Sequence, residues 1–127
     1  MAALVRVGFL GVVRAARVIA ENLTEGGSMA FVLSTSARLA IPGLAMVAGT
    51  MARQLGGRGI RVNGLLPGRI VTERTRYVGA GAVGTAAIPL RRSGDPNEFG
   101  RVAAFVLSPA ASYLSGAMIP VNGGASA

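Results

Sequence analysis

Arg58-Gly59-Ile60-Arg61-Val62-Asn63-Gly64-Leu65-Leu66-Pro67-Gly68 is the stretch that decides the fold. The apolar run from Ile60 to Leu66 is too short for a helix, starts after a glycine and stops at Pro67-Gly68, which reads as a buried strand ended by a turn. Upstream, Met46, Val47, Thr50, Met51 and Leu55 share one face of a helix over 44–55, entered from an Ile41-Pro42-Gly43 turn and stopped by Gly56-Gly57. Further back, 30–34 is another short apolar run, closed by the small polar residues Ser34-Thr35-Ser36, and suits a strand covered on both faces. The first helix places Val5, Phe9, Val12, Val13, Ala16, Ile19, Ala20 and Leu23 on one stripe opposite Arg6, Arg14, Arg17 and Glu21, and ends at Gly26-Gly27.

Downstream, residues 71–87 show no period and read as a loop or lid. Asp95-Pro96-Asn97-Glu98 then combines an acidic N-cap, proline in the first turn and a glutamate three residues after the cap. The helix it opens is expected to bury Phe99, Val102, Ala103, Val106 and Leu107 and to stop at Ser108-Pro109, and 117–121 gives a last strand before Asn122-Gly123-Gly124. Helix, strand, helix, strand, loop, helix, strand implies an α/β chain with a parallel sheet and right-handed crossovers. Three strands and three helices look like half of a doubly wound sheet, so residues 1–127 are expected to form a single partial α/β domain with a lid-like loop at 71–87.

The chain has 127 residues, 51% of them apolar and 14% charged, so disordered polyelectrolytes and coiled coils are excluded. It has no Cys and no His, which removes disulfide scaffolds, thiol nucleophiles and imidazole relays. All 13 basic residues are Arg against 5 acidic ones, for a net charge of +8. Without Lys there is no Schiff-base chemistry. The charge admits anionic partners, but the densest stretch, Arg58, Arg61, Arg69, Arg74 and Arg76, has no interleaved aromatics, so it reads as a solvated basic surface and not as a nucleic-acid site. Arginines interrupt the first twenty residues, so no membrane span is expected. An acid-free start with three arginines also fits a targeting presequence, but the stripe runs unbroken to Leu23, which favours a structural helix.

Five segments in order, Phe31 to Ser36, Arg58 to Asn63, Pro67 to Thr72, Ile88 to Arg92 with Asp95 to Glu98, and Tyr113 to Gly116 through Val121-Asn122-Gly123-Gly124, resemble the C-terminal half of short-chain dehydrogenases/reductases. The flavour is similar to the 3-oxoacyl-(acyl carrier protein) reductase branch. The resemblance implies the C-terminal half of a Rossmann-like doubly wound sheet and an NAD(P)-dependent oxidoreductase acting on a ketone or 3-oxoacyl carbonyl, or on the matching alcohol. It implies that Ser36 is the active-site serine that hydrogen-bonds the substrate carbonyl, with Ser34 the nearby rival. It also implies that Pro67, Gly68, Ile70 and Thr72 contact the nicotinamide, at the strand end where open α/β sheets bind ligands.

The departures from the pattern carry as much information. The family's proton transfer uses a Tyr with a Lys four residues later. Here only Tyr77 and Tyr113 occur, followed at the fourth position by Gly81 and Ala117. A phenol titrating near ~10 with no adjacent cation is a poor base at neutral pH. The family's N-terminal half, with its Gly-rich pyrophosphate turn, has no counterpart, and Asn122 stands where an aspartate is usual. Little or no turnover is therefore expected of this chain. The alternative is a non-catalytic fragment or partner-dependent subunit, associating with itself or a homologue through its helices and last strand, in the cytoplasm.

Overall fold

In the computed structural model the described residues are 2–34, 41–73, 75 and 84–127. The strands are β1 (Ser28–Val32), β2 (Arg61–Pro67) and β3 (Met118–Val121), parallel and in the order β1-β2-β3. The chain starts in α1 (Ala2–Val5), runs through a π-helical stretch (Arg6–Gly11) into α2 (Val12–Asn22), and continues with α3 (Ile41–Leu55) and α4 (Pro96–Leu107). The element order is the one expected, and the architecture is α/β with a parallel sheet.

Side-chain parity assigns the layers. Ser28 pairs with Arg61 and Met29 with Val62, and paired residues point to the same face. Met29, Phe31, Ile60 and Val62 are buried with Ala16 and Ala20 of α2 and Ala48 and Met51 of α3. On the other face Ser28 Oγ and Arg61 Nη1 both donate to the Val106 carbonyl of α4. Thus α2 and α3 cover one face and α4 the other. The crossovers β1-α3-β2 and β2-α4-β3 step in the same direction over opposite faces, so they are of opposite hand, and the expectation that both are right-handed is corrected. The rule depends on a strand feeding directly into its helix, whereas between β2 and α4 lies the long segment that ends at Asp95.

Several boundaries differ from the sequence reading for physical reasons. Strand β1 begins two residues early because Arg61 N–H donates to Gly27 O at 2.9 Å and draws the start of β1 into the ladder. Helix α3 begins at Ile41 and not at Leu44, since a proline in the first turn costs no intrahelical hydrogen bond. Gly43 faces the ring of Phe9, where a Cβ would lie 2.9 Å from Cε2.

On the first helix Ala16 and Ala20 are buried, but Val5 and Ile19 are about half exposed, at 47% and 48%. The π-helical turn shifts the phase of the stripe. The Asp95 cap forms as expected: its carboxylate accepts from Asn97 N–H at 2.8 Å and the Glu98 carboxylate accepts from Asp95 N–H at 2.8 Å. Within α4 Val106 is fully buried, whereas Phe99, Val102 and Ala103 are half-buried and Leu107 is exposed.

Two arginines of the basic stretch are tied into the fold by hydrogen bonds and are not merely solvated. Arg61 is buried and its guanidinium donates to the carbonyls of Val106 (2.8 Å), Ser108 (2.9 Å) and Leu114 (3.3 Å), closing the carboxyl end of α4 where carbonyls lack helical partners. Arg58 does the same for α2, donating to Ala20 O at 3.1 Å and Leu23 O at 2.6 Å. Fully buried Asn63 joins β2 to the approach of β3, donating to Leu114 O at 2.9 Å and accepting from Ala117 N–H at 3.0 Å.

Candidate functional site

Parallel strands deliver all their carboxyl ends to one side of the sheet, where ligands of open α/β folds bind. There Pro67, the last residue of β2, pairs with Val121. The next residue, Gly68, donates its N–H to Val121 O at 3.0 Å and lies so close to β3 that a Cβ would sit 2.5 Å from Asn122 Cβ and 2.7 Å from its Cα. Only glycine allows this approach.

The chain beyond Gly68 is held from the side of α4. Gly94 N–H donates to Arg69 O and Val71 N–H to Gly94 O, both at 2.9 Å, forming a parallel bridge between Ile70 and Gly94. Thr72 follows at the surface. Its N–H donates to Thr75 Oγ1 at 2.7 Å and its Oγ1 accepts from Thr75 N–H at 3.2 Å, a reciprocal exchange across one turn. The expected nicotinamide residues Pro67, Gly68, Ile70 and Thr72 thus share one braced segment at the end of β2, with the Thr72 hydroxyl engaged in its own turn.

Ser34 follows Leu33, whose N–H still donates to Leu65 O at 2.8 Å, so Ser34 leaves β1 at the end of the sheet where Pro67 leaves β2. Ser36, and most of the expected lid at 71–87, lie outside the described residues. Tyr113 is fully exposed and precedes β3, at the opposite end of the sheet from this loop. Tyr77 is not among the described residues.

Between the loop after β2, the approach to α4 and the turn after β3 lies a cleft of about 250 Å³, lined among others by Arg69, Ile70, Arg92, Glu98 and Asn122. Arg92 and Glu98 close one wall with two hydrogen bonds of 2.7 Å each. The hydrogen bond from Arg92, and then that from the Asp95 N–H, hold the Glu98 carboxyl down at about 2. A carboxylate with a depressed native pKa contributes stability above its unfolded value, near ~4.3, and loses it as pH falls toward the native value. The urea midpoint is therefore expected to decline between about pH 4.5 and 2 more steeply in the natural chain than in Glu98→Gln; parallel declines would disprove the coupling.

Three contributors escaped the sequence reading. Thr75 is the partner of Thr72, and its signal was the three-residue spacing of a cap. Gly94 carries the bridge, which has no local signal. Asn122, noted in the sequence only as standing where an aspartate is usual, is buried; it donates to Ser126 Oγ at 2.7 Å and accepts from Gly124 N–H at 3.1 Å, ordering the turn after β3. Among the described residues no acidic cluster could hold a metal, and no helix is long and apolar enough to cross a membrane.

A parallel sheet with helices on both faces and a braced glycine loop at its carboxyl edge defines an α/β protein of Rossmann-like architecture. The chain belongs to the short-chain dehydrogenase/reductase family: residues 1–126 match the family model described as Enoyl-(Acyl carrier protein) reductase. It is 36% identical over 135 residues to an uncharacterized oxidoreductase of Methylorubrum extorquens, covering 93% of this chain and 54% of that one. It is 39% identical over 77 residues to a 3-oxoacyl-[acyl-carrier-protein] reductase of Vibrio cholerae, covering 59% of this chain and 32% of that one.

A short-chain dehydrogenase/reductase of Serratia marcescens superposes with a TM-score of 0.91 at 27% identity, over 98% of this chain and 56% of that one. A metagenomic blue fluorescent protein in complex with NADPH superposes with a TM-score of 0.78 at 26% identity, over 84% of this chain and 48% of that one. The chain therefore spans at most about half the length of these relatives, and is a partial representative of an oxidoreductase family.

Proposed function

We propose that this chain is the nicotinamide-facing and substrate-facing half of an NAD(P)-dependent oxidoreductase domain, acting on a ketone or 3-oxoacyl carbonyl or on the matching alcohol, with little or no turnover by itself. The observation that carries the reading is the Pro67 to Thr72 loop, braced by Val121, Asn122 and Gly94 at the carboxyl edge of the sheet. The residues fit the cofactor in part. Pro67, Gly68, Ile70 and Thr72 would hold the nicotinamide end, Thr72 by exchanging its bond with Thr75 for one to the carboxamide. Among the described residues the strand order runs β1-β2-β3 without the reversal that opens a dinucleotide crevice, so they offer no place for the pyrophosphate. When bound, the cofactor supplies or accepts the hydride; Ser36 would hydrogen-bond the substrate oxygen as charge develops there, with Ser34, which leaves β1 at its carboxyl end, the nearby rival.

The chain has no Lys and no Tyr followed by one, so the family's acid–base pair for proton transfer at the substrate oxygen is lacking. The second reading, a partner-dependent subunit of the cytoplasm built as one partial domain over 1–127, is favoured by the missing crevice. Incubation with NADPH or NADH and a 3-oxoacyl thioester is expected to give no absorbance change at 340 nm above the buffer rate. A rate that disappears in Ser36→Ala would overturn the expectation of inactivity and support the serine; a rate that persists would overturn both.

A further inference from the structure

Val-Asn-Gly occurs twice in this chain, as Val62-Asn63-Gly64 and as Val121-Asn122-Gly123. In such a sequence the glycine nitrogen can attack the asparagine Cγ, because glycine has no side chain to stand in the way. Identical neighbours favour neither copy, but the fold treats the two differently. Gly64 N–H donates to Ala117 O at 2.8 Å. Asn63 is fully buried, with its amide bonded to Leu114 O and to Ala117 N–H. There the nitrogen is committed and water is excluded.

At Asn122 the arrangement is reversed. The Gly123 carbonyl accepts from Leu90 N–H at 3.1 Å, but the Gly123 N–H makes no hydrogen bond among the described residues. Asn122 Oδ1 accepts from Gly124 N–H at 3.1 Å, a donor aimed at the oxygen on which negative charge develops when Cγ is attacked. Asn122 Nδ2, the leaving nitrogen, donates to Ser126 Oγ at 2.7 Å, and that hydroxyl can turn to supply it a proton. The residue also borders the cleft of about 250 Å³ that Arg69 and Arg92 line, a polar space large enough to hold water.

We propose that Asn122 is a site of spontaneous modification, deamidated through a cyclic imide with Gly123, and that the change is felt at Gly68. The Gly123 nitrogen gives up its proton and bonds to Asn122 Cγ; the Cγ–Nδ2 bond breaks and that nitrogen leaves as ammonia. Water then opens the ring. Breaking the bond from the Gly123 nitrogen to Cγ leaves an aspartate, and breaking its bond to the main-chain carbonyl leaves an isoaspartate, whose backbone runs through Cβ. Water enters, ammonia leaves, and nothing is oxidised or reduced. Either product places a carboxylate in the cleft beside two guanidinium groups, which favour its ionised form. The two differ at Gly68, where a Cβ would lie 2.5 Å from Asn122 Cβ. An aspartate keeps the shape of Asn122 and preserves that close approach. An isoaspartate lengthens the main chain there and shifts the end of β3, whose Val121 O accepts the Gly68 N–H.

The test incubates the full chain in neutral buffer made with heavy-oxygen water, which marks each ring opening, and follows both asparagines by peptide mass spectrometry. Asn122 is expected to convert at least about tenfold faster than Asn63 in the folded chain, because Asn63 is reached only when the ladder opens. In urea, where both sit in an open chain, the two rates should agree within about a factor of three. In the isoaspartyl fraction the Gly68 amide should exchange about tenfold faster or more, whereas Asn122→Asp should keep the natural protection.

Equal rates in the folded chain, an Asn122 left intact over the time that converts the urea-unfolded chain, or a preference for Asn122 that persists in urea would each overturn the proposal. An isoaspartyl fraction with unchanged Gly68 exchange would overturn the coupling to that loop. The readout is a covalent change that needs neither NADPH nor turnover, so its outcome is independent of the oxidoreductase reading.

Discussion

Arg61→Ala is expected to lower the unfolding free energy by about 3–5 kcal/mol, the largest single effect in this chain, because charge-assisted hydrogen bonds of about 1.5–3 kcal/mol each are lost together. Its guanidinium joins Val106 O, Ser108 O and Leu114 O; without it Val106 O and Leu114 O keep Ser28 Oγ and Asn63 Nδ2, and Ser108 O keeps the Ala111 N–H. A domain of this size holds roughly 5–15 kcal/mol in all, so the variant should melt in urea at a much lower midpoint, followed by far-UV circular dichroism. Arg61→Lys keeps the charge but not the planar fork, and should fall between the natural chain and the alanine variant. A midpoint for Arg61→Ala within experimental error of the natural one would show that these bonds contribute nothing net.

Asn63→Leu should cost about 1–3 kcal/mol, since a buried amide is replaced at similar volume and one buried backbone group is left unpaired. That group is Ala117 N–H, while Leu114 O keeps its bond from Arg61; both set where the chain turns into β3. The Ala117 amide should therefore lose exchange protection ahead of the β1–β2 ladder. Both Arg61 and Asn63 donate to Leu114 O, so each single variant leaves that carbonyl one donor and the double variant, which leaves it none, should lose more than the sum of the two singles. Strict additivity would show that Leu114 is not their shared anchor.

Whatever rests on neighbouring residues was legible without coordinates. The Asp95 to Glu98 cap forms because each partner is within three residues of the other. Strand β2 was recognisable from an apolar run between a glycine and Pro67-Gly68. The loop residues Pro67, Gly68, Ile70 and Thr72 are held together by adjacency, so the sequence could point to them; that Gly68 must be glycine depends on Asn122, beside it only in the fold. The arginines were misread for the same reason in reverse. Arg61 and Val106 are 45 residues apart, and nothing local distinguishes a helix-capping guanidinium from a solvated one.

From the sequence by itself came the α/β class, the order of elements, the family resemblance and the absence of Tyr followed by Lys, since these depend on composition, periodicity and near neighbours. The tertiary structure alone decided the opposite hands of the two crossovers, the burial of Arg61 and Asn63, and the bridge from Ile70 to Gly94. Each of those depends on which face an element packs against and on hydrogen bonds between residues distant in sequence, and periodicity carries no information about either.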